Sequence, residues 1–385
     1  MNPIFANQPP TIFDIMSTLA RGHDAINLGQ GFPDADGAMD VREAAARALL
    51  EASNQYPPSP GLPQLRNAVA EHYGRLQGLS LDGMSEVVVT SGATEAIAAS
   101  ILALVAPGDE VIMFQPTYDI YAPLVRLAGG VPRLIELQPP HWRITAEALE
   151  AVFSDRTRVV LFNNPLNPAA IAYGAEDLDR LAQACVRHDV IAICDEVWEQ
   201  VVFDGRPHLP LMGRPGMRER AVKIGSAGKI FSLTGWKVGW ACAAPPLAAA
   251  IAKVHAFLTF ATAPNLQSAV AWGLAKDESY FRAMREGFSR SRDRLTAGLR
   301  AEGFAVLPSQ GTYFVLVDLP ASGIALDDAT FCRRAVREAG VAAIPVSAFY
   351  ASNPVTSVIR LCFSKQDAVL DEGIRRLTNA RTRLA

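Results

Sequence analysis

The sequence lacks long apolar runs, although half of its 385 residues are hydrophobic. Nowhere do 18 apolar residues follow one another, the length that would indicate a membrane-spanning helix. Its first ten residues also lack a basic stretch followed by an apolar one, the pattern of a secretion signal. We therefore expect a protein that neither crosses a membrane nor is exported, with enough apolar residues for a sizeable core.

An excess of either charge is also missing. The 36 Lys and Arg residues nearly balance the 39 Asp and Glu residues, which leaves a formal net charge of -3. Proteins that bind nucleic acids or anionic membranes usually carry a basic surface. The balance therefore predicts no nucleic-acid or membrane partner and favours small molecules.

Cysteine is scarce and scattered. The five cysteines are odd in number, and their spacing matches neither metal ligands nor a disulfide framework. Reduced thiols in the core are the natural interpretation, which predicts a cytoplasmic protein without a metal site. The five are Cys185, Cys194, Cys242, Cys332 and Cys362.

Strand, turn and helix patterns alternate from residue 84 onwards. The predicted strands are continuous apolar runs, too apolar to keep one face in water, and helical segments separate them. Such alternation is typical of an α/β fold with a mainly parallel central sheet and helices on both faces. The clearest strands are Val87–Val89, Val111–Phe114, Val159–Phe162, Val190–Ile193 and Val238–Ala241.

The two ends of the chain have different patterns. Residues 1–35 carry few periodic signals and could form a lid or a crossing arm. Beyond Pro264, a long charged helix is predicted over Tyr280–Ala301, followed by shorter strands and two more helices. This C-terminal pattern predicts a smaller α+β domain.

In parallel sheets the ligand binds beyond the carboxyl ends of the strands, so the residues there are informative. The segment Gly92–Thr94 opens a helix and could bind an anion or simply cap the helix. Tyr118 follows the next strand as a ligand platform or as packing, and Asn167 follows the third as a donor or a turn residue. Asp195 ends the fourth strand, where a carboxylate is costly unless it meets a cation.

The stretch Ser226–Trp240 contains a lysine among small residues. Lys229 follows Ser226 by three positions and precedes Lys237 by eight. A lysine held away from water has a lowered pKa and a nucleophilic amine, and the flanking serine and lysine suit a phosphate. The alternative is a glycine-rich loop with two solvated lysines.

An arginine interrupts an apolar strand near the C-terminus. Arg360 lies within Val358–Phe363 and is either a rim residue or a buried clamp for a carboxylate. Pyridoxal 5′-phosphate would account for all of these features together: an amine, a carboxylate at a strand end, a phosphate site, an aromatic platform and a buried arginine. The ring nitrogen of this cofactor needs an acidic partner, and its phosphate needs donors.

The chain also resembles the fold-type I pyridoxal-phosphate-dependent aminotransferases, most of all the kynurenine, glutamine and methionine aminotransferase group. The resemblance implies a homodimer with shared active sites. It also implies a large domain over residues 36–280 and a small domain over residues 281–385. The N-terminal arm of residues 1–35 would be part of the small domain. The matching motifs are Asn27–Asp34, Ser226–Lys229, Gln310–Phe314 and Ile359–Phe363.

The resemblance further implies a role for each residue of the site. Lys229 would form the Schiff base and move the proton at the substrate Cα, Asp195 would hold the ring nitrogen protonated, and Arg360 would bind the substrate α-carboxylate. The other implied cofactor-binding residues are Gly92, Ala93, Thr94, Tyr118, Asn167, Trp198, Ser226, Lys237 and, from a neighbouring subunit, Tyr56. The other implied substrate-binding residues are Gly31, Phe32 and Asn167.

Two positions refine the resemblance. Most fold-type I aminotransferases have arginine at the position of Lys237. The kynurenine and methionine group has lysine there, as this chain does. Trp198 stands where the family has tyrosine, so the phenol that would bond the ring oxygen is missing, and an indole N–H is a larger, differently placed donor. This loss is expected to raise the pKa of the Schiff base.

Three functions remain open from the sequence. Transamination between an L-amino acid and a 2-oxo acid is the first, and the aromatic residues Phe32, Tyr121 and Phe260 favour a large apolar or aromatic side chain, although packing would also explain them. A β-lyase or cyclase that uses the same residues is the second. A non-catalytic effector-binding module is the third, but the chain has no helix-turn-helix extension or basic region.

Overall fold

The computed structural model describes residues 2–6 and 9–385. Met1, Asn7 and Gln8, which belong to the predicted N-terminal arm, lie outside the described residues. The strands are β1 Ile26–Asn27, β2 Val87–Thr90, β3 Glu110–Gln115, β4 Val131–Glu136, β5 Thr157–Asn163, β6 Ile191–Asp195, β7 Ala221–Ser226, β8 Gly239–Cys242, β9 Ala305–Val306, β10 Phe314–Asp318, β11 Val341–Ala342, β12 Ile344–Pro345 and β13 Val358–Cys362.

Helices follow most strands of the large sheet and frame the C-terminal part. The α-helices are α1 Pro3–Ala6, α2 Ile12–Gly22, α3 Met39–Glu51, α4 Pro63–Gln77, α5 Gly83–Glu86, α6 Ala93–Leu104, α7 Tyr121–Leu127, α8 Ala146–Val152, α9 Ala175–Arg187, α10 Ala227–Ile230, α11 Pro245–Leu258, α12 Pro264–Leu274, α13 Glu278–Ala301, α14 Asp328–Ala339 and α15 Asp367–Leu384. Short 3-10 helices cover Leu211–Gly213, Thr234–Trp236, Pro320–Ser322 and Val346–Phe349.

The central sheet contains seven strands in the order β2-β8-β7-β6-β5-β3-β4. All neighbouring pairs are parallel except those of β8, which runs antiparallel to both β2 and β7. Every residue of β2, β3, β7 and β8 is buried, as expected for strands covered on both faces. The predicted α/β fold with a mainly parallel sheet is confirmed.

Two smaller sheets lie in the C-terminal part. One has the order β12-β13-β10-β9 and is antiparallel throughout. The other pairs β1 with β11 in parallel, which joins the segment after α2 to the C-terminal part of the chain. The helix α13 begins after Asp277, whose side chain accepts hydrogen bonds from the first amides of that helix.

Three elements were missed by the apolar pattern. The strand β7 contains Lys223, and the edge strand β4 contains Pro132 and Arg133, so neither is an uninterrupted apolar run. The helix α2 lies in the N-terminal region that had shown few periodic signals.

In the described part of the chain, no helix is both long and apolar enough to cross a bilayer.

Candidate active site

A cavity of about 350 Å³ lies where the carboxyl ends of the parallel strands meet. Residues at or after the ends of β2, β3, β5, β6 and β7 line it, and the second sheet adds Phe314 from β10 and Arg360 from β13. Of the residues predicted from the sequence, all but Tyr56 and Phe260 line this cavity: Gly31, Phe32, Gly92, Ala93, Thr94, Tyr118, Tyr121, Asn167, Asp195, Trp198, Ser226, Lys229, Lys237 and Arg360.

Lys229 lies in the one-turn helix α10, directly after β7. Its Nζ donates to the hydroxyl of Tyr313 over 3.1 Å and lies 4.6 Å from the centre of the Trp198 ring. Burial lowers the pKa of this amine to about 8, although the charge of Asp195 opposes the shift. Lys229 therefore loses its proton more readily than a lysine in water.

Asp195 is the last residue of β6, and its side chain is buried. The hydroxyl of Tyr121 donates to its Oδ2 over 2.5 Å, and the amide of Val197 donates to its Oδ1 over 3.4 Å. Burial raises the pKa of this carboxyl, while the two hydrogen bonds and the charge of Lys229 lower it. A cation at this point of the cavity would favour the ionised form.

The start of α6 and the segment before β8 enclose one corner of the cavity. Gly92 precedes α6 with φ at 80°, and a Cβ there would lie 3.1 Å from Nζ of Lys237. A Cβ on Gly239 would lie 2.5 Å from the first amide nitrogen of α6. Free amides at a helix N-terminus together with Lys237 and Ser226 form a site for an anion such as a phosphate.

Arg360 is buried at 1% exposure in the middle of β13. Its guanidinium donates to Oδ1 of Asn167 over 2.8 Å and to the carbonyl of Gly29 over 2.9 Å, and it stacks 3.9 Å from the centre of the Phe314 ring. Burial lowers the pKa of Arg360 to about 10, and among the described residues its Nε has no hydrogen-bond partner. The geometry suits a carboxylate that reaches this cavity.

Aromatic side chains complete the wall. Trp198 packs with its ring edge-on to Tyr313, with centroids 4.3 Å apart, and also contacts Phe314 at 5.7 Å. Tyr118 also lines the cavity and packs edge-on against Tyr121. Aromatic rings therefore supply apolar surface to a cavity that four charged side chains also line, those of Asp195, Lys229, Lys237 and Arg360.

Tyr56 lies outside this cavity. Its side chain is 84% exposed, and its ring packs edge-on against Phe260, with centroids 5.3 Å apart. Phe260, predicted as a substrate-pocket candidate, does not line the cavity either. Within one chain, these two aromatic residues form an exposed pair.

Three further residues shape the site. Tyr121 lines the cavity, but its hydroxyl serves Asp195 instead of a substrate side chain. Phe13 reaches the cavity from α2, a helix that the sequence pattern did not predict. Tyr313 bonds Lys229, and its place in the motif Gln310–Phe314 was the only signal that could have drawn attention to it.

A buried ionic cluster lies behind Asp195. Carboxylate or ring atoms of Glu196, Glu199 and His208 lie within 4.8 Å of one another, a grouping that could hold a metal ion. The ammonium of Lys223, however, lies 2.5 Å from Glu196 and 2.7 Å from Glu199. Lys223 therefore supplies the positive charge that this cluster requires.

Comparison with known proteins identifies the family. Residues 23–377 match the family model of aminotransferase class I and II. The chain is 43% identical over 367 residues to the methionine aminotransferase of Escherichia coli K12, covering 95% of each chain. It is 34% identical over 395 residues to human kynurenine–oxoglutarate transaminase 1, covering 93% of each chain.

Solved structures agree with these relatives. The structure of N-succinyldiaminopimelate aminotransferase from Mycobacterium tuberculosis superimposes with a TM-score of 0.95 at 42% identity, covering 99% of this chain and all of that one. The chain belongs to the class I and II aminotransferases. It is an enzyme that uses pyridoxal 5′-phosphate to move an amino group from an amino acid to a 2-oxo acid, and the lyase, cyclase and non-catalytic alternatives are not favoured.

Proposed function

We propose that this aminotransferase accepts L-amino acids with large apolar, aromatic or methionine-like side chains, and that Lys229, Asp195 and Arg360 are its central residues. The observation that carries the proposal is their convergence on one cavity. Burial shifts the pKa of each of the three towards the neutral form. Perturbed ionisable groups gathered in a cleft are characteristic of active sites.

The cavity fits the cofactor at each of its chemical groups. Asp195 has no cation in hydrogen-bond contact among the described residues and would pair with the protonated ring nitrogen. Tyr118 would stack on the ring, and Asn167 and the indole of Trp198 would face its oxygen. Pyridoxal 5′-phosphate, once bound, withdraws electrons from the substrate Cα and so makes its proton acidic. The phosphate would be held by Gly92, Ala93, Thr94, Ser226 and Lys237.

Lys229 would transfer the proton at the substrate Cα. With a pKa of about 8, its amine can accept that proton near neutral pH and return it. Arg360 would hold the substrate α-carboxylate and so fix the direction of the Cα–H bond relative to Lys229. The place of Arg360 on the cavity wall, with its guanidinium bonded to Asn167, supports this role.

The apolar wall supports the proposed side-chain preference. Phe13 and Phe32 line the cavity on the side of the N-terminal segment, where Gly31 also lies. An apolar or sulfur-containing side chain would bury surface there without leaving polar groups unpaired. The names of the relatives, which include methionine and kynurenine aminotransferases, agree with this preference.

We also propose a homodimer in which Tyr56 reaches the phosphate of the neighbouring subunit. Tyr56 is exposed, and Leu50 and Phe257 are 85% and 93% exposed, so apolar surface is available for a second copy.

We further propose that residues 36–280 form the large domain and that residues 1–35 and 281–385 form the small one. The five buried free cysteines support a cytoplasmic location.

The substrate proposal is tested by single-turnover reactions. The full chain is loaded with pyridoxal 5′-phosphate, and amino acids are added one at a time without a 2-oxo acid while the visible absorbance is followed. Methionine, phenylalanine and kynurenine are expected to react at least ten times faster than alanine or aspartate. Equal rates across the panel would reject the side-chain preference, and the Lys229→Arg variant should show no reaction with any of them.

A further inference from the structure

The geometry points to Tyr313 as a positioning residue that holds the Lys229 amine and ties its location to the segment around Gly31. This inference rests on the proposed role of Lys229 as the group that moves the Cα proton. Tyr313 would act through Lys229, without contact with the substrate.

Hydrogen-bond direction is fixed by the partners of the Tyr313 hydroxyl. The hydroxyl lies 2.8 Å from the carbonyl oxygen of Gly31 and 3.1 Å from Nζ of Lys229. A carbonyl can only accept, so the single hydroxyl proton is directed to Gly31. The oxygen of Tyr313 is then left to accept a hydrogen bond from the amine of Lys229.

Few other contacts fix the position of the Lys229 amine. Among the described residues, the Tyr313 hydroxyl is the one hydrogen-bond partner of its Nζ. The face of the Trp198 ring lies 4.6 Å away and restricts the amine without accepting a directed bond. The indole N–H can only donate, so Trp198 offers no acceptor. The position of the amine therefore depends on one hydroxyl.

Tyr313 is itself rigid and stays protonated. Its side chain is buried, and its ring packs edge-on against both Trp198 and Phe314. Burial raises the pKa of its phenol well above the ordinary value. Tyr313 thus serves as a fixed neutral acceptor and does not compete with Lys229 as a base.

The hydrogen bond from Tyr313 to the Gly31 carbonyl ties the Lys229 amine to a second segment of the chain. Gly31 belongs to the N-terminal segment that lines the cavity with Phe32. A Cβ on Gly31 would lie 2.9 Å from the Phe314 ring, so this segment fits closely against β10. The positions of the Lys229 amine and of the Gly31 segment are therefore linked through one oxygen atom.

The test measures the Lys229 amine in the full chain freed of cofactor. Reductive methylation with formaldehyde and cyanoborohydride across a pH series, followed by mass spectrometry of the Lys229 peptide, gives the midpoint of its ionisation. In Tyr313→Phe the ammonium loses its acceptor, so the charged form is less stable and the midpoint should fall by about one pH unit. An unchanged midpoint would overturn the inference.

A matched variant controls for loss of a buried hydroxyl. Tyr173 is also buried, and its hydroxyl donates to the carbonyl of Trp142 away from Lys229. Tyr173→Phe should leave the Lys229 midpoint unchanged, and a shift of the same size there would contradict a specific role for Tyr313. If Tyr313→Phe fails to fold, Tyr313→Leu also removes the hydroxyl and should displace the midpoint in the same direction.

Kinetics of the loaded enzyme give a second measurement. In Tyr313→Phe, kcat should fall about tenfold with little change in KM, and the isotope effect with Cα-deuterated substrate should increase because proton transfer becomes slower. A raised KM with unchanged kcat would instead mean a role in substrate binding. Failure of the wild-type enzyme to transaminate would refute the proposed function, whereas the methylation result bears on Tyr313 alone.

Discussion

Three ionisable side chains in the cavity have pKa values that burial shifts towards their neutral forms. The pKa is lowered to about 8 for Lys229 and to about 10 for Arg360, and it is raised for Asp195. Each charged form therefore lacks part of the stabilisation that water would give it. A ligand that brings the opposite charge to Asp195 and Arg360 restores that stabilisation, which favours binding of a cationic ring and an anionic carboxylate.

Arg360→Lys should show how much the two-pronged guanidinium of Arg360 contributes to kcat/KM for the amino acid substrate. A lysine keeps the positive charge but cannot reach Asn167, Gly29 and a substrate carboxylate together. We expect kcat/KM for the amino acid substrate to fall about 100-fold, roughly 2.7 kcal/mol, measured by steady-state kinetics.

Arg294→Lys is the matched control for that substitution. Arg294 pairs with Asp371 and Asp367 on the surface, so its replacement should leave kcat/KM unchanged. If Arg360→Lys behaved in the same way as this control, Arg360 would not be the carboxylate-binding residue.

Trp198→Tyr tests the departure at the aromatic position. Because Trp198 replaces a phenol, the substitution should return a donor to the ring oxygen of the bound cofactor and stabilise its deprotonated form. We expect the pH midpoint of the visible absorbance of the loaded enzyme to fall by about one unit. Trp272→Tyr, at an exposed tryptophan that contacts Lys276, should not move the midpoint.

At the scale of whole elements, the sequence predicted strands best where they are purely apolar. The strands β2, β3, β5 and β6 were found within one to two residues of their ends, and their following residues were placed at one edge as expected. The strand β7 was missed because Lys223 interrupts it, and the ion pairs that make this lysine tolerable come from residues distant in sequence. Local patterns do not contain such pairings.

Contacts between elements also explain which side-chain roles in the site the sequence did not reveal. Tyr121 is 74 positions from Asp195 along the chain, and Tyr313 is 84 positions from Lys229. Each lies in a segment whose apolar neighbours predict packing equally well. Motifs at strand ends could be read from local spacing, whereas these two contacts required the folded chain.

A buried histidine connects three elements around the anion site. His255 of α11 contacts Oε1 of Glu95 in α6 over 2.6 Å and the carbonyl of Ser59 over 2.9 Å. The other carboxylate oxygen of Glu95 accepts from the amide of Ser91, directly before Gly92. His255 therefore holds the start of α6 against the segment that follows Tyr56.

His255→Gln should weaken retention of the cofactor. Glutamine cannot span both acceptors with the geometry of the imidazole ring, so the start of α6 would be held less firmly. We expect the Kd for pyridoxal 5′-phosphate to rise about tenfold, measured by absorbance titration. His188→Gln, at an exposed histidine stacked on Phe153, is the control and should bind normally. Equal affinity in both variants would argue against the connection.

At the scale of the whole molecule, the cluster behind Asp195 links the active site to the stability of the fold. Burial alone would raise the pKa of Glu196, but Lys223 and His208 lower it to about 2. Because this pKa lies below that of an unfolded glutamate, the stabilisation is present above about pH 4.5 and is lost as the pH falls towards 2. The raised pKa of Lys223 adds stability that is lost only at strongly alkaline pH.

Lys223→Met should therefore destabilise the protein markedly. Two carboxylates would be left in the core without their cation, which costs about 3–5 kcal/mol. Guanidinium unfolding at neutral pH measures this loss. The double variant Lys223→Met with Glu196→Gln should recover part of the lost free energy of unfolding, and a neutral effect of Lys223→Met would show that the ion pairs are not stabilising.

The register of β8 has a consequence for how the phosphate corner is assembled. Gly239 is paired with Thr90 of β2 on one side and with Ser226 of β7 on the other. Lys237, two residues earlier, is therefore positioned against Gly92 and Ser226 by a single row of backbone hydrogen bonds across three strands. The anion-binding corner is a product of sheet formation itself, so it cannot be gained or lost by rearranging a surface loop. Conversely, an anion bound there joins three strands at their shared end and opposes fraying of that edge of the sheet.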